Sequence, residues 1–172
     1  SVGGTATLSG SGQSFTNTSS GTISDCSGYL SRSIVVSGTG LNAVDISTVT
    51  LNISHGYDAD VDVRLYSPNN DYIDLTSDNG GSGDNYVNTV FSDGASTSIT
   101  SGSPPFTGTY KPEGAFSTLS GTADGTWTLR VYDDDCGITG TFNNVTLDFP
   151  SSASTTICEG STSSFTLSAY TG

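Results

Sequence analysis

The chain has 172 residues and a formal net charge of −13, with 17 acids set against Arg32, Arg64, Lys111 and Arg130. That length holds one domain with a real hydrophobic core, plus room for a fragment of a second. So few cations exclude a phosphate-binding surface, and with it nucleic acid or an anionic membrane surface as partner. No apolar run approaches the ~20 residues of a membrane-spanning helix.

The acids are all Asp except Glu113 and Glu159, Ser and Thr make up about a third of the chain, and Met is absent. Asp, Ser and Gly favour turns, while the apolar residues are mostly β-branched or aromatic. Helix-period stretches are missing, so the composition predicts an all-β sandwich or barrel of short strands. Three cysteines, Cys26, Cys136 and Cys158, leave one thiol over after any internal pairing. The composition fits a secreted or cell-surface setting, where a disulfide persists. No signal-peptide pattern opens the chain, which reads as a mature or excised piece.

In chain order, residues 1–20 are low in complexity and read as a linker or an edge strand, with a short strand over Thr5 to Leu8. "SRSIVVSG" (31–38) is a strand ending in a turn. "NAVDISTVTLNISHGY" (42–57) places Val44, Ile46, Val49, Leu51 and Ile53 inward, with a phase change that marks a turn or bulge near Ser47. "ADVDVRLYSPNN" (59–70) turns Val61, Val63 and Leu65 inward and ends in a turn, and "DYIDL" returns as the second strand of a hairpin. "YVNTVF" (86–91) is a short strand inside an Asp/Asn/Gly loop. Residues 97–125 show little alternation, and their "SPPFTGTYKPEG" reads as a surface loop ordered by proline. "GTWTLRVYD" (125–133) and "GTFNNVTLDF" (140–149) form the last strong pair, joined by an acidic turn. "PSSAST" (150–155) marks a boundary, so 21–150 is the sandwich and 151–172 a linker with the first strand of a following module or a swapped strand.

Four stretches in this order, "VTLNISHGYDADVDVRLYSPNN", "LTSDNGGSGDNYVNTVFSDGA", "PPFTGTYKPEGAFSTLSG" and "DGTWTLRVYDDDCGITGTFNNVTLDF", resemble the P-domain of kexin- and furin-like proprotein convertases. The resemblance is closest to bacterial versions in secreted proteases and surface proteins. It implies a jelly-roll β-sandwich of two antiparallel sheets, no catalytic residues within the domain, and bound calcium. Val61 stands where the family has Leu, and Val145 where it often has Trp. From residue 156, "ICEG" and "SFTLSA" resemble the start of an Ig-like or PKD-like module.

The candidate site is a set of aspartates at strand ends. Asp58 and Asp60 head the strand at 59–70, Asp84 lies in "GGSGDN", Asp93 follows the strand at 86–91, and Asp133, Asp134 and Asp135 end the strand at 125–133. Ca²⁺ takes six to eight hard oxygens from carboxylates, carbonyls and water, and loops of this composition supply them. The spacing is not that of an EF-hand. Asp78 and Glu113 are assigned to turn capping. His55, the single histidine, has no nucleophile elbow to accompany it, and the resemblance implies a packing and hydrogen-bonding role for it. Cys26 and Cys136 are expected to pair, since Cys158 lies beyond the boundary at Pro150. The exposed-ring candidates for sugar binding are Tyr66, Tyr72, Tyr86 and Tyr110, and the N-x-[ST] triplets at Asn17, Asn52 and Asn144 carry no assigned role.

The function expected is a non-catalytic, calcium-binding module joined to adjacent domains of a larger chain. Its role would be adhesion, spacing or docking to a protein or glycan at a cell surface. An accessory domain that stabilises an attached secreted protease and a carbohydrate-binding module are the alternatives.

Overall fold

A computed structural model describes residues 11–151. The strands expected at Thr5 to Leu8 and after residue 156, together with Cys158, lie outside the described residues. Ten strands are present: β1 (Gln13–Asn17), β2 (Gly21–Ile23), β3 (Tyr29–Val36), β4 (Thr48–Ser54), β5 (Val61–Tyr66), β6 (Tyr72–Thr76), β7 (Tyr86–Phe91), β8 (Thr109–Tyr110), β9 (Gly125–Asp133) and β10 (Gly140–Phe149). They form two sheets. One runs β1-β10-β4-β7-β8 with β2 also on β10, and the other runs β3-β9-β5-β6. All pairings are antiparallel except the short β7–β8 pair. Gln13–Asn17 is an edge strand, in register with Phe149 to Val145.

Alternation builds the core. Val61, Val63 and Leu65 of β5 and Trp127, Leu129 and Val131 of β9 are fully buried. The facing sheet supplies Val49, Leu51, Ile53, Phe142, Val145 and Leu147. Trp127 packs edge-on against Phe149, and its indole N–H donates to Ala123 O at 2.8 Å, so the buried ring leaves no unpaired polar atom. The phase change near Ser47 is a 3₁₀ turn at Ala43–Asp45, which leaves Val44 exposed rather than inward.

Two sequence expectations are corrected. The stretch "SPPFTGTYKPEG" (103–114) is not wholly a surface loop: its Phe106 is buried in the core, as are Ile99, Phe116, Leu119 and Ala123 in the weakly alternating sequence on either side. The segment covers the sandwich through side chains at irregular intervals, which no period reveals. The strands β9 and β10 are not partners either. β9 lies between β3 and β5, while β10 pairs with β1, β2 and β4, so the acidic segment between them crosses from one sheet to the other. The β2–β3 connection makes the same crossing, and the Cys26–Cys136 disulfide joins the two crossings.

A candidate cation site at the acidic end of the sandwich

The chain reverses between β4 and β5 through a single 3₁₀ turn, Asp58–Asp60. Asp58 is fully buried there. The loop at residues 80–85 wraps around it: Asp58 N donates to Gly83 O, Ala59 N donates to Gly81 O, and Asn85 N donates to Asp58 Oδ1 at 2.8 Å. Gly80 has φ +98°, and a Cβ on it would stand 2.9 Å from the Asp58 Cβ, so only glycine lets the loop come this close. Asp58 Oδ2 has no partner. Burial pushes the Asp58 carboxyl up to about 7, against the Asn85 N–H and His55, which favour the ionised form, while Asp84 raises it further.

The end of β9 stands beside this turn, since Val61 pairs with Asp133 and Asp134 N donates to Asp60 O at 3.0 Å. Asp133 is buried, with Oδ2 3.1 Å from His55 Nε2 and Oδ1 unpartnered. Burial raises its pKa against the pull of His55. Asp60 is raised by burial and then by Asp135, Asp133 and Asp25. Asp134 is raised by burial and then by Asp62, Asp78 and Asp60. Asp135 accepts from Cys136 N and lines a hollow of about 250 Å³ with Asp60, Tyr57 and Ile138. An adjoining groove of about 360 Å³ is lined by His55, Gly56, Asp84, Asn85 and Thr139.

Six of the seven expected aspartates therefore share one end of the sandwich. Asp93 does not join them. Asp84 precedes β7 and Asp93 follows it, and a six-residue strand spans about 20 Å. Both Asp93 oxygens accept backbone N–H groups instead, from Phe116 at 2.9 Å and Ser117 at 3.1 Å. Glu113 accepts from Ser77 N, in line with its turn role. Asp25 is the member that sequence reasoning missed. It accepts from Gly137 N, and the disulfide next to it carries it to the acidic crossing. The expected Cys26–Cys136 pairing was the signal that would have placed it.

The donor set suits a hard cation. At this end two buried carboxylate oxygens, Asp58 Oδ2 and Asp133 Oδ1, lack partners, and such orphans cost about 1–3 kcal/mol or more when charged. The cage is not made of side chains alone. Among the described residues the one trio of His, Cys, Asp or Glu ligand atoms within 4.8 Å is Asp25 with Cys26 and Cys136, whose sulfurs are bonded to each other. Backbone carbonyls of the glycine loop and water would have to complete any coordination shell. His55 Nδ1 lies 2.8 Å from Tyr57 O, so both ring nitrogens are engaged by Tyr57 and Asp133.

Residues 44–149 match the family model described as the proprotein convertase P-domain. Leupeptin-inactivating enzyme 1 of Streptomyces exfoliatus is 31% identical over 139 residues, covering 80% of this chain and 26% of that protein. The Aeromonas sobria serine protease in complex with its chaperone superposes with a TM-score of 0.54 at 14% identity, over 82% of this chain and 27% of that one. A crystal structure of a serine protease of Aeromonas sobria gives 0.51 at 15% identity, over 80% and 26%. At such identity these structures speak for the fold alone, and the chain spans about a quarter of the length of each relative. With the matched family model covering most of the described sandwich, the chain belongs to the proprotein convertase P-domain family.

Proposed function

We propose that the chain is a non-catalytic, calcium-stabilised accessory module that supports an adjacent domain of a longer secreted hydrolase. The observation that carries this is one of proportion: similarity extends over four-fifths of this chain and only 26% of a relative named as an enzyme. Among adhesion, spacing, docking and protease support, that observation favours the last. The arrangement around His55 agrees with it. Its ring nitrogens face a backbone group and a carboxylate, which leaves neither to activate a nucleophile. The disulfide agrees with an extracytoplasmic location.

In this reading Asp58 and Asp84, with carbonyls of the 80–85 loop, hold Ca²⁺, and Asp60, Asp133, Asp134 and Asp135 surround it or hold a second ion. Calcium supplies charge neutralisation there. The protein's own contribution is the glycine loop and the β4–β5 turn, which bring the carboxylates together. The test is a panel of peptidase, esterase and glycosidase substrates offered to the purified chain and to His55→Ala, with and without Ca²⁺. No turnover above background is expected from either. Turnover that disappears in a folded His55→Ala protein overturns the reading.

A further inference from the structure

The outer face of the β3-β9-β5-β6 sheet carries a row of aromatic rings and guanidinium groups that the acidic end does not involve. Tyr29 on β3 stands opposite Tyr132 on β9, with ring centroids 5.3 Å apart. Tyr66 on β5 stands opposite Tyr72 on β6, with centroids 5.2 Å apart. Between the pairs, Arg130 lies 4.5 Å from the centres of both Tyr29 and Tyr66. Arg64 lies 5.6 Å from Tyr72 and 5.7 Å from Tyr132. Stacking holds the guanidiniums in place and stiffens the rings. Tyr72 remains 54% exposed and Tyr29 49% exposed. Two of these rings, Tyr66 and Tyr72, were candidates from sequence; Tyr86 is instead buried, and Tyr110 packs on Phe106.

Charge decides what such a face takes. In a chain of net charge −13, half of the cations sit here, balanced by Asp62 and Asp74 on the same face. Arg64 is bonded to Asp74, while among the described residues Arg130 has no carboxylate within salt-bridge distance and reaches Tyr66 Oη, at 3.4 Å. Arg130 Nε and Asp62 Oδ1 are buried without a partner, so the Arg130 Nη2 donors and the Asp62 Oδ2 acceptor are what the face offers a neutral ligand. On β3 the flanking floor is Ser31 and Ser33, both exposed, so the rings rise beside a low hydroxyl-lined strip. Val35, 67% exposed two residues beyond Ser33 on the same face of β3, is the exposed aliphatic residue of that strand, and it lies outside the tyrosine row. Rings for C–H stacking, with donors and acceptors in balance between them, match a ligand that is apolar on its faces and hydroxylated around its edge.

We infer that this face binds a neutral polysaccharide laid across the four strands. Tyr72 and Tyr29 are the outer ring platforms, and Arg130 and Asp62 address hydroxyl groups between them. From Tyr29 to Tyr72 the row runs diagonally, three strand spacings across the sheet and four residues along it, or about 20 Å in all, which is room for several sugar rings.

The test is affinity electrophoresis of the 172-residue chain in native gels cast with hydroxyethylcellulose, mixed-linkage β-glucan, laminarin, galactomannan or soluble starch. Retardation is expected in at least one gel. Tyr72→Ala and Tyr29→Ala should each weaken it about tenfold or more, as the loss of an interface anchor does. Val87→Ala, on the opposite sheet, should leave it unchanged. Four results overturn the inference: free migration in every neutral gel, retardation that both tyrosine variants retain, retardation confined to alginate or heparin and abolished by salt, or free migration together with a neighbouring-domain complex that the tyrosine variants weaken.

Discussion

Replacing Asp58 by Asn separates the charge of this side chain from its shape. The wild-type carboxyl has a folded pKa of about 7 against an ordinary value of 3.8, because burial penalises its charged form. A folded pKa above the unfolded one means the native state holds the proton more tightly. Stability from this group is therefore intact below about pH 4 and is lost as pH rises through about 7. The full span, about three pKa steps at 1.36 kcal/mol each, is about 4 kcal/mol, and roughly 2.5 kcal/mol of it falls between pH 5 and pH 8.

Asp58→Asn keeps the acceptor for Asn85 N and leaves a buried amide in place of Oδ2. That amide carries a penalty of about 1–3 kcal/mol, but it is independent of pH and cancels when each protein is compared with itself. In EDTA at constant ionic strength, the wild-type melting temperature should fall between pH 5 and pH 8 by roughly 8 °C more than that of the variant. Ca²⁺ at a hundredfold excess over its dissociation constant should then return about 2.7 kcal/mol to the wild type at pH 8 and far less to Asp58→Asn. Parallel pH profiles in EDTA would refute the burial argument. Equal rescue of both proteins by Ca²⁺ would remove Asp58 from the cation site.

Gly80→Ala should destabilise by about 2–4 kcal/mol in urea denaturation, since its Cβ would stand 2.8–2.9 Å from Pro104, Asp58 and Phe106 at φ +98°. Gly81→Ala, at φ +56° with open space around it, should cost about 1–2 kcal/mol; equal costs at the two positions would mean the loop does not close on Asp58 as described. Reduction should lower stability by up to about 5 kcal/mol, because Cys26 and Cys136 close a separation of 110 residues, and non-reducing peptide mapping should recover that pair. A linkage of Cys158 to either one, or a melting curve indifferent to reductant, contradicts this.

What the sequence made legible follows from what sets a visible period. Val61, Val63 and Leu65, and again Trp127, Leu129 and Val131, alternate because one face of each strand is buried, so their strands and inward faces could be read directly. Ile99, Phe106 and Phe116 fill the same core from irregular backbone, and no local pattern announces that. Pairing was illegible for a different reason. Adjacent strong strands suggest partners, yet in a two-sheet sandwich a short connection also crosses between layers, and hydrophobic pattern is blind to the difference. Among the aspartates, position at a strand end was readable and choice of end was not. Asp93 is the instructive case, because β7 separates it from Asp84, and the length of that strand alone places them at opposite ends.

Strand β9 shows how closely the two proposed surfaces are built together and how their charges are divided. Its inward residues, Trp127, Leu129 and Val131, lead to Asp133, buried against His55. Its outward residues, Thr128 and Arg130, lead to Tyr132, whose ring lies tilted against Tyr29. Alternation thus delivers a carboxylate to the acidic end and a ring to the tyrosine face from neighbouring positions. The cations keep to one side of this division. Arg64 and Arg130 lie on the tyrosine face, Arg32 donates to the carbonyls of Ser19 and Ser20, and Lys111 lies in the groove with Asp93 and Glu113. The end that gathers Asp58, Asp60, Asp84 and Asp133 to Asp135 thus has His55 as its only basic side chain among the described residues. Like charges about 4 Å apart repel by about 1 kcal/mol in water and more where they are buried. A fold that places every Arg and Lys elsewhere leaves that repulsion to protonation or to a bound cation. That is why the pH and Ca²⁺ responses of Asp58 bear on the acidic end, while the tyrosine face, neutral in sum, meets that end through Asp62, whose charge raises Asp134.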